Sequence, residues 1–481
     1  MHKNDFSHWL RAAAITLGVG FFACNGTAAT RPASDNGEGA FRDLYKELVE
    51  TNTTLSSGSC TEAAGKMADR LQAAGMPAAS MQVLAPPERP KSGSLVANYP
   101  GRDAALEPIL LLAHIDVVEA RREDWERDPF KLVEEGGFFY ARGASDDKAM
   151  ASIFTDLLVR WSESKFLPRR GVKLALTCGE ETPETFNGVK WLLATHPDLL
   201  RAKFVINEGA GGRLDANGKP TTLEVQAGEK VYQDFKLETT DIGGHSSRPT
   251  RENAIYRMSA ALQRLGAYQF PVSLNDVTRS YFEAQAQFAP ADEAADMRAI
   301  LKNPQDDAAA QRLWTAEPSW NGMLRTTCIA TQIVGGHAPN ALPQRATVNV
   351  NCRILPGVPV DDVRSELVRI VADDKVDVRF AGDKGLSAPA PTLSPAFMAP
   401  IHKLAKKYWP EAHVVPTMTT GATDGRYLNA AGIPTYGVSG IFTDAKGSGA
   451  HGLNERLLVK SVMDGRNFLQ ELVLAYAQDS R

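Results

Sequence analysis

Short apolar runs that end in histidine or acid constrain this chain more than any other feature. Residues 108–113 (PILLLA) lead into His114 and Asp116, and residues 172–177 (VKLALT) lead into Glu180 and Glu181. Residues 204–207 lead into Glu208, and residues 434–438 precede the loop GSGAHGLNE, which carries His451. Stretches with helical patterning lie between or after these runs, at 148–163, 188–195, 396–407 and 459–477. Such alternation predicts an α/β fold around a central, mostly parallel, buried sheet. In a sheet of that kind the loops at the carboxyl ends of the strands line the functional crevice. Metal-ligand residue types therefore collect along one sheet edge.

Residues 232–381 follow a different order. A strand at 232–239 and a helix at 253–265 precede two strands at 326–334 and 345–355, then a helix at 360–373 and a strand at 376–380. The order β-α-β-β-α-β predicts a ferredoxin-like α+β module inserted into the first domain, the unit that the resemblance described below implies to be a lid domain. The polar segment 272–321 reads as a helical elaboration of that insert. The first domain is then built from 40–231 and 382–481, and a chain of 481 residues is long enough for two cores.

Lys3 and Arg11 precede an apolar stretch at 12–24 and a group of small residues, which together predict a signal peptide over 1–29 and a linker over 30–39. Export to a bacterial periplasm follows, with lipid anchoring at Cys24 as the alternative that Phe21 and Phe22 disfavour. No further stretch is long and apolar enough for a membrane span. A net charge of −4 and a pI near 6.2 lack the basic footprint of a nucleic-acid binder. Cys60, Cys178, Cys328 and Cys352 are too scattered for a disulfide scaffold or a thiolate zinc site. If the strands at 326–334 and 345–355 pair antiparallel about Asn340, Cys328 falls opposite Cys352. The expectation there is two free buried cysteines, with a disulfide as the alternative.

Taken singly, each polar residue has an ordinary explanation. Asp146 or Asp147 can cap the helix that follows, His114 can be a satisfied core histidine, and Glu208 can be a turn acid. Together, two histidines and several carboxylates at one edge suit a pair of divalent ions bridged by one carboxylate. Imidazole and carboxylate donors without thiolate favour Zn²⁺ and tolerate Co²⁺ or Mn²⁺.

In order along the chain, HIDVV, RGASDDK, GEE, NEG, GGHSSRP, GATDGR and AHGLNE resemble the two-zinc peptidase and acylase family that contains aminoacylase, carboxypeptidase G, carnosinase and succinyl-diaminopimelate desuccinylase. The resemblance runs from about residue 108 to 456. It implies one zinc held by His114, Asp146 and Glu208, and a second held by Asp146, Glu181 and His451, with Asp146 bridging. Asp116 matches the acid that orients the first histidine, and a cis peptide is implied between Asp146 and Asp147.

Glu180 matches the general base, which takes a proton from a water between the ions and passes it to the leaving amine. His245 resembles the lid histidine that stabilises the oxyanion, contributed in several relatives by the second subunit of a lid-mediated homodimer, with Asn340 assisting. Arg353 and Arg426 resemble binders of a substrate carboxylate. The implied reaction is hydrolysis of an amide next to a free carboxylate, as in a carboxypeptidase, dipeptidase or N-acyl-amino-acid hydrolase acting on a small peptide or an N-acyl amino acid. An aminopeptidase and a catalytically silent binding protein are the alternatives. Glu208, where the family's aminopeptidases tend to carry Asp, favours the carboxypeptidase and acylase side. Ala149 and Glu119 depart from the common pattern, where many relatives have glycine and some have proline.

Overall fold

The strand Ile109–His114 is buried at every position, as a strand covered on both faces must be. Ile109, Leu111 and Ala113 point into one core, and Leu110 and Leu112 into another on the opposite face. Burying each leucine contributes roughly 1.5–3 kcal/mol, so the period-two pattern fixes the strand's register. These are features of a computed structural model that describes residues 37–479. The expected signal peptide, Cys24 and most of the linker lie outside the described residues.

Ile109–His114 pairs parallel with Val172–Thr177 on one side and Val205–Asn207 on the other, and Val205–Asn207 pairs parallel with Thr435–Gly437. His114 lies opposite Thr177, and Asn207 opposite Gly437. Parallel register therefore delivers the loops after these four strands to one edge. Further out, Ser94–Tyr99 pairs antiparallel with Val172–Thr177, and Pro220–Glu229 pairs antiparallel with Thr435–Gly437. The sheet is thus mixed, parallel around the strands that carry the candidate ligands and partly antiparallel beyond them. Six of its ten strands, Pro220–Glu229 and His413–Thr419 among them, have no counterpart in the sequence-based expectation.

Helices Glu38–Glu50, Lys148–Glu163 and Val459–Gln478 pack on one face through residues such as Phe41, Tyr45, Phe154 and Phe468. The short helix Gly188–Thr195 places Val189 and Leu192 on the other. No helix among the described residues is long and apolar enough to cross a membrane.

The second sheet joins Thr327–Gly335, Arg345–Ile354, Val231–Thr240 and Val376–Ala381, in that spatial order and antiparallel throughout. With helices Ala254–Ala267 and Val360–Val371 it has its own core around Phe235, Met258, Val350 and Leu367. This is the ferredoxin-like order of strands, and the alternating burial of Arg345–Ile354 shows why one face of it takes the helices.

Two expectations need correction. Segment 272–321 is helical, forming Asp276–Gln285, Ala291–Lys302, Asp307–Ala316 and, running past its end, Pro318–Leu324. Its Val277, Phe282, Met297, Ile300 and Leu313 join the large core of the mixed sheet, and its first helix packs on His413–Thr419. It packs on the body of the mixed sheet and is not an elaboration of the lid core. Its composition concealed this because each short helix buries a single narrow stripe.

The cysteines are paired, including Cys328 and Cys352, expected to be free. Cys328 bonds Cys352 across two strands in the anticipated register, and Cys60 bonds Cys178. The second pair spans 118 positions and links a helix start to a strand end, so no local pattern announces it.

Candidate metal centre

Asp146 stands in the turn that opens helix Lys148–Glu163, and its two carboxylate oxygens face two histidines. Oδ1 lies 2.9 Å from His114 Nε2, and Oδ2 lies 3.1 Å from His451 Nε2. Glu208 Oε2 is 3.7 Å from the same His114 nitrogen, and Glu181 Oε2 is 2.9 Å from the same His451 nitrogen. The peptide bond between Asp146 and Asp147 is cis. Donor atoms of His114, Asp146 and Glu181 lie within 4.8 Å of one another, as do those of His114, Glu180 and Glu208. Glu180 therefore reaches the cluster itself.

Asp116 serves both halves of this arrangement. Its backbone oxygen lies 3.1 Å and its carboxylate 3.7 Å from His114 Nδ1, on the ring edge opposite the cluster. The same carboxylate accepts the backbone N–H groups of Glu180 at 3.3 Å and Glu181 at 3.1 Å. One acid thus fixes the ring of His114 and the turn carrying the paired glutamates. Gly179, at φ 92°, makes that turn possible, in a region where a side chain is strained.

The electrostatics follow from crowding. Burial, with Glu208 adding, pushes Glu180 up to about 10, and burial pushes Glu181 up to about 7. His451 is raised to about 9, chiefly by its hydrogen bond to Asp146. Burial works against both Asp146 and His114, but His114 and His451 hold Asp146 below the carboxylate range, and Glu208 with Asp146 holds His114 well above its own. Crowding of this kind stores like-charge repulsion that bound cations would relieve. Neutral imidazole and carboxylate donors without thiolate fit divalent ions of the zinc type.

Other residues support the site without having been singled out from sequence. Asp424 is buried, accepts hydrogen bonds from Thr177 Oγ1 and Asn187 Nδ2, and is raised to about 6 by burial. Asn187 also donates to the backbone oxygen of Gly179, steadying the turn before Glu180. Glu229 is buried, accepts the N–H of Thr423, and is pushed up to about 8 by burial. Glu455 receives the N–H groups of Gly143, Ser145 and Asp146. Asp424 and Glu455 sit inside GATDGR and AHGLNE, so motif position could have pointed to them; Glu229 and Asn187 carry no such signal.

The remaining expected residues lie apart from the cluster. His245 is exposed on the lid, where Gly244–His245 pairs with Ala341–Leu342 and its Nδ1 accepts from Ser247. The backbone oxygen of Asn340 accepts the N–H of Ser246, which places Asn340 beside His245. Among the described residues His245 has no hydrogen bond or ion pair with the carboxylate cluster. Arg353, on a lid strand, lies over the ring of Tyr232 and reaches the backbone oxygen of Thr420 at 3.4 Å. Arg426 lies over Tyr427 with its Nε buried and unpartnered. Neither guanidinium pairs with a carboxylate among the described residues, so each has capacity for an anion. Beside Asp146 and Glu208 a cleft of about 360 Å³ opens over Met150, Ile441 and Leu457.

Comparison with known proteins agrees with this geometry. Residues 110–475 match peptidase family M20/M25/M40. The human N-fatty-acyl-amino acid synthase/hydrolase PM20D1 is 30% identical over 391 residues, covering 78% of this chain and 75% of that protein. A probable carboxypeptidase S-like 2 of Dictyostelium discoideum is 27% identical, covering 79% and 74% respectively. Among solved structures, an M20 family metallo-carboxypeptidase from Sulfolobus solfataricus shares the fold with a TM-score of 0.66 at 18% identity, over 91% of this chain and 99% of that one.

Proposed function

The chain belongs to peptidase family M20/M25/M40 and is a metal-dependent hydrolase of peptide or amide bonds, and from that premise we propose an exported two-zinc amidohydrolase that cleaves an amide next to a free carboxylate. The observation that carries the two-ion reading is the division of Asp146, one oxygen to His114 and the other to His451. His114, Asp146 and Glu208 would hold one ion, and Asp146, Glu181 and His451 the other. Bound there, the ions supply Lewis-acid polarisation of the amide carbonyl and acidify water.

The protein's own groups do the rest. Glu180 receives the proton of the attacking water and delivers it to the departing nitrogen, a task suited to a carboxyl that reaches the cluster without being needed as a ligand. Asp116 and Asn187 hold the turn so that Glu180 and Glu181 face different tasks. Arg353 and Arg426, lacking carboxylate partners, orient the substrate through its free carboxylate. His245 and Asn340 stabilise the oxyanion from the lid of a second subunit. The exposed edge strand Thr327–Gly335, with Ile329, Ile333 and Val334 facing outward, supports dimerisation through that lid. Two disulfides support export to an oxidising compartment.

The substrates proposed are small peptides with a free C-terminus and N-acyl amino acids. Metal analysis of the purified mature chain, followed by a panel of N-blocked and free-amine dipeptides and acyl-amino acids, tests this. Hydrolysis of the N-blocked and acyl members, abolished by chelation and restored by zinc, is expected. Activity confined to free-amine peptides would make it an aminopeptidase, and activity persisting in fully metal-free protein would sink the mechanism.

A further inference from the structure

Asp146 and His451 come from loops far apart in sequence, and His451 is more than half exposed, so something beneath them must set their spacing. Glu455 lies directly below. Its side chain is fully buried and all four of its close donors come from the Asp146 side of the site. Oε1 accepts the N–H groups of Ser145 at 2.6 Å and Asp146 at 3.1 Å. Oε2 accepts the N–H of Gly143 at 2.9 Å and Arg142 Nη1 at 2.8 Å. Arg142 closes the bracket by donating Nη2 to the backbone oxygen of Gly452, the residue after His451, at 2.8 Å. The backbones are also joined, with Ala141 N–H donating to the Glu455 oxygen and Arg456 paired with Tyr140.

Resting on the two-ion reading, we propose that Glu455 and Arg142 are positioning residues that hold the Asp146 turn and the His451 loop at ligand spacing. They therefore determine the affinity of the ion shared by Asp146, Glu181 and His451. The other ion depends on them less. Two of its ligands, His114 and Glu208, follow strands buried in the sheet, and only Asp146 is held by the bracket.

The distinction between carboxylate and amide makes this testable. Glu455→Gln keeps the shape but turns one acceptor oxygen into an NH₂ group facing N–H donors, so one end of the bracket loses its acceptor. The metal-free mature chain and its variants would be titrated with zinc against a chromophoric chelator, with cobalt absorption as a second readout. Wild type should take up two ions. Glu455→Gln should keep one near the wild-type affinity and weaken the other about 10- to 100-fold. Its kcat should fall more than its KM changes, and excess zinc should restore kcat, which a general folding defect would not show. Both affinities unchanged, or both falling by one common factor, overturns the proposal. If Glu455→Gln does not fold, Arg142→Gln carries the test. It leaves the Glu455 carboxylate in place and removes the Gly452 tether, so the same selective loss is expected and unchanged affinities overturn the idea. A wild-type chain that binds only one ion refutes the two-ion reading, and this inference with it, before any variant is compared.

Discussion

Glu180 and Glu181 are neighbours with similar surroundings, yet their contacts separate them. Glu181 meets His451 while Glu180 sits with His114 and Glu208. Glu180→Gln should therefore retain both ions and lose roughly 10²- to 10⁴-fold in kcat. Glu181→Gln should instead weaken one ion, so metal content and turnover measured on the two variants distinguish base from ligand. Full activity in Glu180→Gln would reverse the assignment. The same site predicts a pH dependence of metal uptake. His451 is held at about 9 in the ion-free site, chiefly by Asp146, and a proton on the ring must leave before an ion binds. Zinc affinity should rise with pH up to about 9 and binding near neutrality should release protons. Calorimetry in two buffers of different ionisation enthalpy reads that release, and identical heats after buffer correction for zero protons would contradict it. Motif order alone could name the candidate donors, because His114, Glu181 and Glu208 follow apolar runs while Asp146 and His451 sit in RGASDDK and AHGLNE. What it could not name is Asp116 as the acceptor beneath both glutamates, since a backbone N–H leaves no mark on residue identity.

At the scale of elements, the strands that carry the site were legible because burial on both faces forces continuous apolar runs such as ILLLAH. Pro220–Glu229 and His413–Thr419 were not, since they are partly exposed and pair with each other across nearly two hundred residues. The 272–321 segment was legible as helix but not as part of the mixed-sheet body, because helical periodicity says which face is apolar and not what it meets. The Cys60–Cys178 bond belongs to this scale as well. It ties Cys178, two residues before Glu180 and just past the end of strand Val172–Thr177, to the start of helix Cys60–Ala73. Closing a loop of that length stabilises the folded chain by about 3–5 kcal/mol relative to its unfolded state. The double variant Cys60→Ala, Cys178→Ala should melt several degrees lower than wild type. At temperatures where it is folded, its kcat should also fall, because the tether ends at the Glu180 turn. An unchanged melting temperature would show that the bond adds nothing to the fold.

For the whole molecule, the proposed oxyanion groups stand apart from the proposed metal ligands. The carboxylate cluster belongs to the mixed sheet, whereas His245 and Asn340 lie on the lid and have no contact with the cluster among the described residues. The lid also presents Ile329, Ile333 and Val334 on an edge strand, an apolar surface that a lone soluble chain would ordinarily avoid. Pairing two lids along that strand would cover the apolar edge and give each subunit's histidine a second chain to reach. Ile329→Asp with Ile333→Asp places like charges where two such strands would meet. That variant should sediment as a monomer, keep its full zinc content, and lose turnover to the extent that His245→Ala does in the dimer. Mixing the His245→Ala protein with Glu180→Gln protein offers the complementary measurement. If the histidine serves the neighbouring chain, heterodimers regain activity at one of their two sites, because one site then has both a working base and a working oxyanion donor. No recovery on mixing, with subunit exchange verified independently, would mean that His245 acts within its own chain or not at all.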